Sequence, residues 1–367
     1  MENLKDIEKF FVSLTKNKGS DLHLKVGLKP IFRINTVLHE AGPRSLEAED
    51  VKRFIYEILT DRQREKLEQE RDLDFAYTLK DWGRYRISVF YDRGMMAVAV
   101  RRVITEIPSF EELNLPPVLK NIASVMQGLV IVAGPTSSGK STTLATIIQF
   151  INESRKAHII TIEDPIEYLF KDVKSFINQR EVGLDVESFP RALKHVVRQN
   201  PDVIMIGEMR DPESIDAGLM AAETGHLVLA TVHASNAHQT ISRMLDLFPS
   251  DRQEQIRQLM VFNLKSIICQ KLVPGAKAGV RMVPVVEIML NNPSIQKAIQ
   301  TKEDQKIQDI IRASEEDGMM DFNRSLLNLI SAGLITQEIA LKHSPNPDQL
   351  KMYLQGIFLD DAHKIMG

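Results

Sequence analysis

The apolar positions of the first hundred residues change period several times. Leu4, Ile7, Phe10, Phe11 and Leu14 recur at helical spacing over 4–15, and Gly19 stops that pattern. Two short alternating runs, 21–26 and 31–38, predict strands separated by Gly27 and Pro30. A helix is expected over 51–59. Thr60-Asp61-Arg62-Gln63 then has the spacing of a capping box and opens a short helix to Glu70. Three period-2 stretches follow at 72–79, 84–91 and 95–103, with Trp82-Gly83 and Asp92-Arg93-Gly94 as turns. Together these elements predict a small α+β domain over 1–105. Pro108, Pro116 and Pro117 mark 106–122 as a linker.

The pattern changes beyond Gly128. Short runs with no polar face, at 129–133, 158–162, 203–206 and 227–232, alternate with amphipathic helices. Strands apolar on both faces predict a mainly parallel sheet covered on both sides by helices, here an α/β domain over 123–291. Ser250-Asp251-Arg252-Gln253 is expected to cap a helix running to about 272, and a last strand is expected over 280–290. A tail over 292–367 reads as helical almost throughout, with breaks at Gly318, Gly333 and Pro345-Asn346-Pro347.

Composition narrows the function classes. Of 367 residues, 46 are Lys or Arg and 49 are Asp or Glu, so 46 − 49 gives −3. That balance argues against affinity resting on a global positive field, and no basic-aromatic stripe for nucleic acid is visible. One cysteine, Cys269, forbids an internal disulfide framework and a thiolate zinc site. It reads as a small buried hydrophobe in a reducing compartment. The charged N-terminal segment has no signal-peptide pattern, and no apolar run is long enough to span a bilayer. The expectation is a cytoplasmic protein without direct membrane insertion, reaching the membrane only through a partner.

The chemistry concentrates in the second domain. Gly134-Pro135-Thr136-Ser137-Ser138-Gly139-Lys140-Ser141 fits G-x-x-x-x-G-K-[ST] between an apolar strand and a helix, the context that motif requires. Glycines there let backbone N–H groups turn onto phosphate oxygens, and the helix N-terminus adds a favourable dipole. Lys140 can neutralise β/γ-phosphates and the Ser141 hydroxyl can ligate Mg²⁺. Two glutamates follow the ends of predicted parallel strands, where ligands of open α/β sheets bind: Glu163 and Glu208. Glu208 could hold the metal, directly or through water, or activate the attacking water; Glu163 competes for the last role. Asp164 before Pro165 and Asp211 before Pro212 read as turn and N-cap residues. His226 and His233 bracket the strand 227–232. Their odd separation turns them to opposite faces, which excludes one shared metal and leaves either as a γ-phosphate sensor. The N-terminal hairpin carries Arg84, Arg86, Arg93, Arg101 and Arg102, readable as charge donated to hydrolysis, as a surface for an acidic partner, or as a solvated face.

The motifs ITIEDPIEY (160–168), INQREVG (177–183), GEMRD (207–211) and TGHLVLATVHASNA (224–237), in that order after GPTSSGKSTT (134–143), resemble the secretion-type ATPases of bacterial type IV pili and type II secretion. The similarity is closest to the twitching-motility retraction members, the PilT/PilU group, and covers nearly the whole chain. This resemblance implies a PAS-like N-terminal domain, a RecA-like P-loop ATPase domain and a helical C-terminal tail, assembled as a homohexamer that hydrolyses ATP with Mg²⁺. It implies nucleotide contacts from Gly134 through Thr142, metal contacts from Ser141 and Glu208, and Glu163 as the catalytic base. It adds His226 and His233 as His-box residues, and Arg86, Arg93 and Arg101 as arginines completing the site, partly across subunits. Implied partners are an inner-membrane pilus platform protein and a paralogous pilus ATPase. Two departures stand out: Ser137 occupies a position commonly Gly in the family, and the tail reads SIQKAIQ (294–300) in place of the retraction-type AIRNLI. Other readings are an accessory PilU-like or nonhydrolytic motor component and a RecA-like nucleic-acid motor.

Overall fold

The computed structural model describes residues 4–34, 37–277 and 281–357, and the chain divides into two units. The first comprises residues up to Glu106 together with Glu167–Leu169, and the second runs Ile107–Ile166 and onward from Phe170.

In the first unit, β1 (Asp21–Lys25), β2 (Ile31–Ile34), β3 (Val37–Glu40), β4 (Asp72–Leu79), β5 (Gly83–Asp92) and β6 (Met95–Arg102) form one antiparallel sheet ordered β3-β2-β1-β6-β5-β4. The single strand expected over 31–38 is a two-strand hairpin; Asn35 and Thr36, between its arms, lie outside the described residues. Helices Asp6–Lys16, Ala48–Tyr56 and Asp61–Glu70 cover one face, burying Ile7, Phe11, Leu14, Phe54, Ile55 and Leu67 against Leu22, Leu24, Tyr85, Ile87 and Val100. Tyr85 stacks on Phe11 at 4.5 Å between centroids. Its hydroxyl lies 2.7 Å from that of Thr15 and donates to the Phe11 carbonyl, so the buried phenol is satisfied. The capping box at Thr60 forms as its spacing predicts: the hydroxyl accepts from Gln63 N–H and the Gln63 side chain accepts from Thr60 N–H. A helix-covered antiparallel sheet of this size fits the expected PAS-like α+β unit.

The second unit contains β7 (Gly128–Ala133), β8 (His158–Glu163), β9 (Phe176–Glu181), β10 (Val203–Ile206), β11 (Leu227–Val232), β12 (Leu264–Pro274) and β13 (Met282–Leu290), ordered β13-β12-β7-β11-β10-β8-β9. All neighbours are parallel except β12 and β13. Ile131, Ile160, Ile162, Ile204 and Ile206 point to one core, while Val130, Val132, Ile159, Met205 and Leu229 point to the other, beneath helices Lys140–Ser154 and Val118–Ala123. The sandwiching of a parallel sheet between two apolar layers is why these strands lack a polar side.

Two further expectations are corrected, and one strand goes unpredicted. The helix predicted to reach about 272 stops at Asn263; it begins at Ser250 with Pro249 in the cap position and no side-chain cap bond. The chain then turns extended and runs as β12 between β7 and β13, where Ile267, Ile268 and Cys269 pair beside Ile131, Val132 and Ala133. Burial on both faces removes the polar alternation that would have separated strand from helix there. Second, 106–122 is no free linker. Phe110, Leu115, Leu119 and Ile122 are buried in the second unit, and the Pro108 carbonyl accepts from Thr146 Oγ1 at 2.9 Å. Edge strand β9 was not foreseen; its sequence FINQRE is mixed because only one edge and part of one face are covered. The last expected strand forms from Met282, with Val280 outside the described residues.

The described part of the tail supplies helices Pro293–Gln300, Ile307–Ala313, Phe322–Ser331, Gln337–His343 and Pro347–Leu354. Their Ile295, Ile307, Ile311, Leu326 and Leu350 belong to the same core as the parallel sheet. Glu287 on β13 is buried there, its two oxygens accepting from Ala237 N–H at 2.7 Å and Gln308 Nε2 at 2.9 Å; burial raises its proton affinity. Cys269 is fully buried and free, as expected of a small core residue, and burial pushes its thiol well up. Among the described residues no helix is long and apolar enough to cross a membrane.

Candidate active site

Parallel register brings the functional motifs to one edge. Strands β7, β11, β10 and β8 are parallel neighbours, with Ala133 paired to Val232, Ala230 to Ile206 and Ile206 to Ile162, so the phosphate loop, His233, Glu208 and Glu163 leave the same carboxyl edge. The crevice at strand carboxyl ends is where such sheets bind ligands.

The loop from Gly134 to Gly139 joins β7 to helix Lys140–Ser154. Gly139 sits at φ +87° as its N-cap, and a Cβ on Gly134 would lie 2.3 Å from the Gln270 carbonyl, so close backbone approach requires glycine there. Ser137, the departure from the family pattern, is exposed at φ +63°, the left-handed conformation in which glycine is favoured. Lys140 Nζ donates to the Gly134 and Pro135 carbonyls, both at 2.9 Å, holding the ammonium inside the loop.

Beneath the loop lies a residue the sequence reading missed. Gln270 on β12 donates from Nε2 to the Ser138 carbonyl at 2.8 Å and accepts from Thr143 Oγ1 at 2.7 Å, and is itself buried. Its signal is the uncharged polar Gln270, next to Lys271, inside the otherwise apolar run 267–273, obscured by the helical reading of that run. Gln270→Ala should lower stability by about 1–3 kcal/mol, the cost of leaving buried polar groups unpaired, and weaken ATP binding by loosening the loop. Denaturant melts and nucleotide titration check this; unchanged affinity with lowered stability would remove the second half.

The two glutamates occupy different surroundings. Glu208 accepts from Arg210 Nη2 at 2.7 Å, and His233 Nε2 lies 3.2 Å from its other oxygen. Burial pushes its carboxyl up, but the Arg210 hydrogen bond and the positive fields of His233, Arg210 and Lys140 outweigh it and hold the pKa below the usual value. An ionised carboxylate facing the phosphate loop, with the Ser141 hydroxyl one residue after Lys140, is a set of hard oxygen donors that suits Mg²⁺. Glu163 is only 7% exposed at the end of β8. Its Oε1 accepts from Thr161 Oγ1 at 2.6 Å and from Gln179 Nε2 at 3.1 Å. Neither Thr161 nor Gln179 was singled out from sequence. Asp211 caps helix Pro212–Glu223 by accepting from Ser214 N–H, as expected, and Asp164–Pro165 forms a turn with a cis peptide bond.

Within the second unit, His226 is not gathered at this edge. His226 stands at the amino end of β11, its Nδ1 2.9 Å from the Ala221 carbonyl, about 23 Å of extended chain from His233. Within its unit it therefore lies on the opposite edge of the sheet, and its geometry is that of a helix-end partner. In the first unit Arg86 and Arg101 are register partners on β5 and β6, both exposed, and Arg101 Nε donates to Asp21 Oδ1 at 2.9 Å. Arg93 sits in the turn at the far end of that hairpin at φ +53°, so the hairpin does not bring it beside the other two.

The family described as Type II/IV secretion system protein matches residues 3–340. The chain is 39% identical to the type IV pilus ATPase PilU of Pseudomonas aeruginosa over 95% of its length and 91% of that protein. It is 36% identical to the type IV pilus retraction ATPase PilT of the same organism over 94% and 99%, and 37% identical to a twitching motility protein of Neisseria gonorrhoeae over 88% and 86%. A crystal structure of the pilus retraction motor PilT with bound ADP superposes with a TM-score of 0.86 and 40% identity, covering 95% of this chain and 99% of that one. With a phosphate loop and two strand-end glutamates on the same edge of a RecA-like sheet, the chain belongs to the Type II/IV secretion ATPase family, among its pilus-retraction ATPases of the PilT/PilU group.

Proposed function

We propose that this ATPase uses ATP hydrolysis to withdraw type IV pili and so drives twitching motility, working as a homohexameric ring against an inner-membrane pilus platform protein. The observation that carries the reading is the shared edge of Lys140, Glu208, His233 and Glu163, in a chain similar to PilT and PilU over 94% and 95% of its length. Residues Gly134 through Thr142 hold the triphosphate through backbone N–H groups and the Lys140 ammonium. Ser141 and Glu208 hold Mg²⁺, which supplies charge neutralisation on the phosphates when bound. Glu163 accepts the proton of the attacking water, and His233, linked to Glu208, reports on the γ-phosphate. Arg86, Arg93 and Arg101 supply positive charge toward a nucleotide in the assembled ring, partly across subunits.

Deleting the gene and scoring pilus number and surface movement tests the role. Surplus pili with lost movement is the expected result; normal piliation and normal movement would end the proposal. The 39% identity to PilU favours one second reading, an accessory motor paired with a paralogous pilus ATPase. Its outcome is distinct: normal pilus number with weakened retraction force.

A further inference from the structure

The carboxylate of Glu163, proposed above as the base, is oriented by its neighbours. Two donors converge on a single oxygen, Glu163 Oε1: the Thr161 hydroxyl from the same strand and the Gln179 amide from β9. Thr161 and Gln179 are register partners on β8 and β9, so both project to the same side of the sheet as Glu163. The Gln179 amide is itself anchored. Its Oε1 accepts from the Phe170 backbone N–H at 3.0 Å. A backbone N–H can only donate, so the amide oxygen must face Phe170 and the NH₂ must face Glu163; the opposite amide orientation would oppose two donors. Phe170 is the residue at which the chain re-enters the second unit after 167–169.

From this geometry we infer that Gln179 is a positioning residue for the hydrolytic step. Its amide, oriented by Phe170, pins Oε1 of Glu163 together with Thr161 and thereby sets the plane in which Oε2 meets the attacking water. The inference deepens the reading of Glu163 as the base and rests on it. A pinned carboxylate matters because proton transfer depends on placement within tenths of an ångström. Removing a donor from the ionised form also raises its proton affinity, so the acid limb of the rate profile must move to higher pH. The other charged groups bordering Glu163 are Glu181, its register partner on β9, the adjoining Asp164, and Glu208 with Arg210 at the end of β10. All are kept in the variants below, to which Gln179→Glu alone adds a carboxylate.

The test is steady-state MgATP hydrolysis by the purified full chain over roughly pH 5.5 to 9, with melting of the nucleotide-free protein alongside. Gln179→Glu keeps an acceptor for the Phe170 N–H but sets a second carboxylate where the donor to Glu163 stood; Gln179→Ala removes both contacts without adding charge. Both variants should lower kcat about ten- to a hundredfold, leave KM for ATP within about twofold, and displace the acid limb upward. Glu163→Gln/Gln179→Ala should be no slower than Glu163→Gln alone. Wild-type kcat and pH profile in Gln179→Glu overturn the inference, as does a loss confined to melting temperature. If Glu163→Gln retains full turnover, the base reading itself fails. If it is inactive while both Gln179 variants hydrolyse normally, only the positioning role falls.

Discussion

Glu163→Gln should bind ATP as the parent chain does and lower kcat by about two to four orders of magnitude, the range contributed by a positioned general base. The substitution is nearly isosteric. Its amide oxygen can still accept from Thr161 Oγ1 and Gln179 Nε2, so the strand end should keep its hydrogen bonds and the protein its stability. What is lost is the oxygen able to take a proton. Steady-state hydrolysis beside binding of a slowly hydrolysed ATP analogue separates the two effects. Wild-type turnover would strip Glu163 of its role, whereas lost binding would make it a nucleotide contact instead. Glu208, tied to Arg210 and near Lys140, would then be the better candidate for activating water.

Lys140→Ala should remove hydrolysis altogether and weaken ATP binding by about ten- to a hundredfold or more. A charge-assisted hydrogen bond is worth roughly 1.5–3 kcal/mol, and each 1.4 kcal/mol is tenfold. In the structure the ammonium donates to the Gly134 and Pro135 carbonyls at 2.9 Å. Alanine leaves the exposed Pro135 carbonyl to water but strips the carbonyl of buried Gly134 of this donor, so the nucleotide-free protein should melt somewhat below the parent. Ligand-induced stabilisation should almost vanish; for the parent it approaches about 2.7 kcal/mol when ATP stands at a hundred times its Kd. A full ATP-induced rise in melting temperature in this variant would contradict the assignment of the loop.

Much of this site can be read without coordinates because its chemistry is local. The phosphate loop, its flanking strand and its helix lie within 27 residues, and each strand-end glutamate directly follows its own apolar run or a single glycine after it. Parallel strands in matched register then bring such residues to a common edge, whatever lies between them. The residues that went unseen act at long range. Gln270 reaches the loop from 127 positions away along the chain through Thr143, and its strand reads as helix because both faces are buried. Gln179 sits on an edge strand whose mixed sequence carries no clean period.

The amino-acid order alone carried a nucleotide-phosphate loop, the two candidate carboxylates, and the family to which they belong, since propensity, periodicity and short motifs are properties of neighbouring residues. The fold alone decided which side chains hold those groups in place: the amide under the loop, the pair of donors on one oxygen of Glu163, the cations that keep Glu208 ionised, and the placing of His226 on the far edge from His233. Those contacts depend on sheet order and register. Both are fixed by burial across the whole core, and no local stretch of chain encodes them.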